Sequence, residues 1–407
     1  MGSKRVPEVR FDNYSDEWEE QKLKHVANFI RGSFPQPYTN PDWYDEENGQ
    51  PFVQVADIGF DLKLNKDTKL HISKIAEHKS RFVEKGKVVV ALQGSIEKSI
   101  GRVAVTQYPA FFDRTILIFE SYKVDIDNYY FAQVIQKLFH REKERAWGAT
   151  ISTINKEALS DFYIGLPDIN EQRKIGQFLK NLDETIALHQ QELTTLKQTK
   201  QGFLQKMFPK DVERVPEVRF DGFSGEWEEI KADSIFKSVS DKNHIGLPVL
   251  SASQKEGMIL RDDIGIDIKY EEKSIKTYKR VQPGQFVIHL RSFQGGFAYS
   301  NIEGITSPAY TILGFQNEDS HAYLFWKFVF TSNSFIKRLE TVTYGIRDGK
   351  SISFSDFSTL KFRVPIVEEQ QKIGEFFKKL DDSIAAHEKE LELLQETKRG
   401  FLQKMFV

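Results

Sequence analysis

Leu166–Phe208 reads LPDINEQRKIGQFLKNLDETIALHQQELTTLKQTKQGFLQKMF. From Ile175 onward a heptad seam falls at Ile175, Leu179, Leu182, Ile186, His189, Leu193, Leu196, Lys200, Phe203 and Met207, in steps alternating four and three residues. That is the a/d pattern of a coiled coil, sustained for about four and a half heptads. Pro167 marks the entry, and a helix of this length spans roughly 55 Å at ~1.5 Å per residue. The stretch recurs at Val364–Phe406, where 25 of 43 positions are identical at an offset of 198, and its seam runs through Ile373, Phe377, Leu380, Ile384, His387, Leu391, Leu394, Lys398, Phe401 and Met405. Two matching seams in one chain are most economically buried against each other. Antiparallel pairing centred near residue 191 would bring His189 and His387 together, as polar residues that set the register rather than as metal ligands or catalytic groups. Lys200 and Lys398 are expected to snorkel from the seam or to mark where it opens to another partner.

A second, shorter repeat precedes each long one. Arg5–Glu20 (RVPEVRFDNYSDEWEE) and Arg214–Glu229 (RVPEVRFDGFSGEWEE) match at 13 of 16 positions. Trp18 and Trp227 within them are expected to pack against the long repeats rather than to stack on bases. The segments between the repeats, 21–165 and 230–363, are not copies but share a skeleton. KGKVVVALQGS at Lys85–Ser95 lies over PGQFVIHLRSF at Pro283–Phe293, and TILIF at Thr115–Phe119 resembles TILGF at Thr311–Phe315. Helical stretches are expected at Tyr129–Arg145 and His321–Glu340, each followed by a polar, glycine-bearing turn. The fold class is therefore α+β: two mixed α/β domains, 1–165 and 211–363, alternating with two long helices, 166–210 and 364–407, that pair as an antiparallel coiled coil and give the chain a pseudo-twofold repeat.

Composition narrows the function. The chain has 407 residues and no cysteine, which removes disulfides, thiolate metal sites and cysteine nucleophiles and fits a reducing cytoplasm. No apolar run reaches the ~18 residues of a membrane helix, so no membrane partner is expected. The net charge of −2 is unevenly spread. Residues 21–165 carry 20 Lys/Arg against 18 Asp/Glu and residues 230–363 carry 18 against 14, leaving −8 on the repeats. The two interiors are mildly basic, which permits nucleic-acid binding without demanding it. Motifs for catalysis are lacking: there is no GxxxxGK[ST] loop and no HExxH pair. Asn40-Pro41-Asp42-Trp43 is only faintly like an amino-methyltransferase motif, with too little chain before it for a cofactor loop. Asp168, Glu171 and Lys174 crowd one helical turn rather than the strand pair of a nuclease, and the second copy replaces Asp168 with Ile366.

The duplicated order resembles the specificity subunit of type I restriction–modification systems. The resemblance spans essentially the whole chain and rests on the Glu-Gln-(Arg/Gln)-Lys-Ile-Gly starts at Glu171–Gly176 and Glu369–Gly374 and the Leu182-Asp183 and Leu380-Asp381 steps. It rests also on the Gly-Phe-Leu-Gln-Lys-Met-Phe ends and the Trp-Glu-Glu entries at Trp18–Glu20 and Trp227–Glu229. It implies that the interiors are target recognition domains, each reading one half of a split site in double-stranded DNA. The repeats would set the distance between halves and dock two methyltransferase subunits, which restriction (translocase) subunits join. The chain itself would be no enzyme and hold no cofactor, S-adenosylmethionine, ATP and Mg being used by other subunits. DNA-facing loops are implied after the Lys85–Leu92 strand, with Gln93, Ser95 and Lys98, and at its counterpart, with Arg291, Ser292 and Gln294. A second cluster of suitable residue types holds Arg145, Trp147, Thr150 and Thr153, matched by Tyr344, Arg347 and Lys350. The rival reading is a pseudo-symmetric coiled-coil scaffold without DNA readout; the divergence of the two interiors speaks against it.

Overall fold

The computed structural model describes residues 6–95, 99–145, 159–210, 213–253, 256–264, 272–289, 297–339 and 352–406. They form two compact units: 1–192 with 388–407, and 193–387. Each long helix is continuous over 38 residues, Ile169–Lys206 and Val367–Lys404, so each unit holds the start of one helix and the end of the other.

In the first unit the strand Glu19–Lys22 pairs antiparallel with Tyr163–Leu166, tying the beginning of the interior to its end. Between them lies a four-stranded antiparallel sheet in the order Ala27–Arg31, Ile116–Tyr122, Val88–Ala91, Val103–Val105. Val88, Val89, Val90 and Ala91 are all fully buried, because this strand is covered on both faces. One face carries the helix Asn128–Arg145 through Phe131, Ile135 and Phe139; the other packs on Val53, Ile58, Val83 and Phe112. A second sheet, in the order Leu70–Ile72, Gln50–Val53, Ala110–Phe112, Arg81–Val83, holds a small core around Phe34 and Phe52. The helix and strand expected at Tyr129–Arg145 and within Lys85–Leu92 are both present.

The second unit repeats the plan with different filling. Glu228–Lys231 pairs with Lys361–Val364, and the sheet runs Phe236–Val239, Thr311–Phe315, Phe286–Ile288, Ala298–Tyr299. Its core is aromatic: Phe330 meets Phe236, Phe286, Phe297 and Phe335 at ring separations between 4.9 and 5.4 Å. The single helix expected over His321–Glu340 is two, Tyr323–Thr331 and Asn333–Leu339. Ser332 breaks it, donating its hydroxyl to the Val329 carbonyl and accepting from the Phe335 amide, a local bond pattern that competes with helix continuation.

The helix seams are occupied as the heptads require. Ile175, Leu179, Leu193, Met207, Ile373, Phe377, Leu391 and Met405 are buried, and Leu182, Ile186, His189, Leu196, Phe203, Leu380, Ile384, His387, Leu394 and Phe401 are half-buried, as in a rod with one partner. Within the first unit Phe178 meets Phe401 at 4.8 Å, Asp183 meets Lys398 at 2.5 Å and His189 Nδ1 meets Glu390 at 3.7 Å. Contacts that advance along one helix retreat along the other, so the pairing is antiparallel. Within the second unit Lys200 meets Asp381, and Phe203 meets Phe376 at 5.1 Å, in the same sense. The seam lysines therefore do not snorkel into solvent. Each reaches the aspartate of the opposite helix's Leu-Asp step, which gives the seam cation a counter-charge.

Candidate nucleic-acid interface

The short repeats act as clips. Val9 N donates to the carbonyl of Lys404 at the end of the second long helix, and Arg10 forks onto Glu171, at the start of the first, at 2.6 and 2.7 Å. In the second unit Val218 N donates to Lys206 O, and Arg219 forks onto Glu369 at 2.6 and 2.7 Å. Both glutamates are fully buried. Trp18 packs edge-on against Tyr130 and Phe406, and Trp227 against Phe208 and Phe325, so both tryptophans are core residues as expected. Gln172 accepts from Asp127 N, and Gln370 accepts from Ala322 N, fastening each helix start to its own domain. The "Glu-Gln" of each repeat is thus two anchors in consecutive residues.

Close approach explains Gly176 and Gly374. A Cβ on Gly176 would stand 2.3 Å from Asp127 Oδ1, and one on Gly374 2.8 Å from Phe325 N. The glycine of each helix start lets the domain's own helix sit directly on the rod.

These clips hold the segments implied to face DNA. After Val88–Ala91 the chain passes Gln93 and Gly94, whose φ of +123° only glycine adopts readily, to an exposed Ser95. Ser99 N and Ile100 N return to the Ser95 carbonyl, and Gly101 N bonds Ala91 O, so the base of the loop is closed. Gly101 lies against Phe139 of the helix Asn128–Arg145: a Cβ there would be 2.6 Å from that of Phe139. The base of the first predicted cluster and the helix leading to the second therefore meet on one edge. Arg145 ends that helix. Lys98, Trp147, Thr150 and Thr153 lie outside the described residues, as do Arg291, Ser292, Gln294, Tyr344, Arg347 and Lys350. The flanks of the second unit's two stretches nevertheless converge: Phe297, just after the first, packs on Phe335 and Phe357, which bracket the second.

Electrostatics on the first unit were not foreseen from the sequence. Burial, with Arg141 adding repulsion, pushes the Lys137 ammonium down to about 8 while it donates to Phe406 O at 3.1 Å. Lys143 is pushed down by burial and by Arg102. Burial pushes the Asp183 carboxyl up, against the pull of Lys398 and of the Gln133 amide. The run KLFHREKER at Lys137–Arg145 carries the signal in its charge density, but only the fold brings Lys143 near Arg102. Among the described residues no helix is long and apolar enough to cross a membrane.

Comparison with known proteins agrees with this layout. The family described as "Type I restriction modification DNA specificity domain" matches residues 15–198 and again 225–396. The MjaX specificity subunit of Methanocaldococcus jannaschii is 23% identical over 416 residues, covering 95% of this chain and 92% of its own. The type I restriction enzyme MjaVIII specificity subunit of the same organism is 24% identical over 280 residues, covering 64% and 65%. The crystal structure of the type I restriction–modification S subunit from M. genitalium superposes with a TM-score of 0.64 at 15% identity, covering 99% of both chains. With a doubled reader, a doubled clip and a doubled match, the chain belongs to the type I restriction–modification DNA specificity family.

Proposed function

We propose that this chain reads a gapped, two-part sequence in double-stranded DNA, one half per domain, and docks two methyltransferase subunits on its repeated surfaces. The observation that carries this reading is the contrast between clip and content. Arg10–Glu171 and Arg219–Glu369 are the same device with the same distances, whereas the domains they fasten have different sheets and cores. Similar repeated surfaces suit two copies of one partner. Different interiors suit two unlike half-sites, and helices without a break suit a fixed gap between them. On this reading the chain supplies recognition only, and S-adenosylmethionine, ATP and Mg are handled by the methyltransferase and restriction subunits that assemble around it.

The test is domain exchange. The chain is assembled with its methyltransferase subunits and the modified adenines of a host genome are mapped. Replacing 21–165 by the interior of a relative should change one half of the modified sequence and leave the other half and the gap intact. Changing both halves, or neither, would refute the modular assignment, and the absence of any enriched gapped sequence would leave a protein scaffold. Lengthening the helices within Gln177–Thr199 should alter the tolerated gap or abolish recognition through loss of register.

A further inference from the structure

The first unit contains a cavity of about 530 Å³ bounded by the turns at Phe60 and Gly101, the helix Asn128–Arg145 and the last turns of the second long helix. Six of its thirteen lining residues are Lys or Arg and none is Asp or Glu, in a chain whose acids outnumber its bases. Lys398 is paired with Asp183 at 2.5 Å and Arg399 with Glu396 at 3.6 Å. Among the described residues Arg102 donates to the Ile58 carbonyl at 3.0 Å, and its buried Nε has no partner. Its guanidinium lies 4.0 Å from the ring of Phe60, which is 71% exposed. Lys137 likewise has a carbonyl for its ammonium. Clustering such cations under partial burial raises the energy of the empty site, and an anion entering it would relieve that energy.

Gly101 lets this turn lie directly against Phe139 of the helix at the rim of the cavity.

We propose that this cavity is a phosphate-binding site for the DNA backbone, in which Arg102, Lys137 and Lys143 hold consecutive phosphates beside the Gln93–Ser99 loop. The proposal rests on the DNA-recognition reading and adds to it a backbone contact that carries no base preference. Phosphates of duplex DNA suit it better than a free nucleotide, because the site opens at the base of the predicted reading loop and spans two elements that flank that loop.

The test compares the parent with Lys137→Gln/Lys143→Gln, each assembled with its methyltransferase subunits, by titrating a fluorescent duplex of random sequence over a range of KCl concentrations. Each lost phosphate contact should flatten the slope of log K against log salt by about 0.9, so the pair should flatten it by about 1.8 and weaken binding about sixtyfold at 0.1 M salt. A charge-matched control, Lys379→Gln/Lys389→Gln on exposed positions of the second long helix, should keep the parental slope. Thermal melting of each protein identifies any variant that fails to fold, in which case Arg102→Lys, which keeps the charge but cannot fork, should show a smaller loss with the slope retained. If the parent binds duplex but the double variant keeps its slope, the site is not a backbone contact and the recognition reading stands. If the parent shows no salt-dependent duplex binding, both fall. If tripolyphosphate raises the melting temperature of the parent and not of the variant while the DNA slope is unchanged, the cavity is a small-polyanion site and the proposal is overturned.

Discussion

Replacing Arg219 by methionine should unfold the second unit selectively, and the size of the effect follows from the clip. Glu369 is fully buried and receives both prongs of the Arg219 fork. Methionine keeps most of the packing volume and removes the charge, leaving a carboxylate in the protein interior. Loss of one partner of a buried pair costs about 3–5 kcal/mol. The carboxyl has one escape, which is to take up a proton. At pH 7 that work is about 3.7 kcal/mol for an ordinary glutamate, which caps the cost. The N-terminal turn of the helix, where Glu369 sits, favours the carboxylate and lowers the cost of leaving it unpaired by ~0.3–1 kcal/mol. We therefore expect a loss of about 3 kcal/mol at pH 7. Because the cap is set by protonation, the loss should shrink by about 1.4 kcal/mol for each unit of pH lowered, down to the ordinary carboxylate range. The sign is fixed: the variant's native state binds a proton that its unfolded state has released, so its stability falls as pH rises. Urea unfolding followed by tryptophan fluorescence reports the unit through Trp227 and Trp326, both buried there. Adding Glu369→Gln should recover most of the loss, since an amide needs no counter-charge. A loss below about 1 kcal/mol that does not vary between pH 5 and 8 would refute the argument, showing that the fork is incidental to how the repeat is held.

Four other expectations can be measured together. Gly176→Ala and Gly374→Ala should each destabilise by about 2 kcal/mol through overpacking against Asp127 and Phe325, lowering the melting temperature of the unit concerned by several degrees. Gly202→Ala and Gly400→Ala meet open space and should each stabilise by about 1 kcal/mol; a loss of methyltransferase binding with this gain in stability would place a partner against that turn. Lys137→Met should raise stability at neutral pH by about 1 kcal/mol, discounted because the ammonium is partly exposed. Its native pKa of about 8 lies below the unfolded value, so the parent gains stability as pH rises from about 8 toward 10.5 and the advantage of the variant should vanish over that window. Asp183→Ala should cost more than Lys398→Met: it strands a cation from the seam and the Gln133 amide together, and the difference is readable by urea midpoints.

How much of this was legible in the sequence depends on the range of the interactions involved. The heptad steps from Ile175 to Met207 are a local pattern with a strong period, and two copies in one chain leave few alternatives to pairing. Their antiparallel direction was the expected one, but two equal seams joined by a long connection can also pair parallel, and the contacts within each unit settle it. The helix break at Ser332 was not legible, because Thr331-Ser332-Asn333 is compatible with both a helix and a cap until Phe330 and Phe335 are drawn into one core. The clips were invisible for a different reason. Arg10 and Glu171 are 161 residues apart, and Arg219 and Glu369 150; each is an ordinary charged residue in its own neighbourhood, and only the repeat of both at once hints that they belong together.

The glycines show the same boundary in a single residue type. Gly176 and Gly202 lie in one helix, and each is copied in the other. Read alone, all four invite one explanation, a neighbour too close for a side chain. The structure divides them. Gly176 and Gly374 have that neighbour, the domain's own helix; Gly202 and Gly400 have nothing within 4 Å. A helix of 38 residues that keeps an unneeded glycine near its end, twice, forgoes about 1 kcal/mol each time. That loss is unexplained by the folded chain alone. Two readings account for it, a surface kept bare for a partner on both copies alike and a simple loosening of the last turns, and the alanine variants at 202 and 400 separate them.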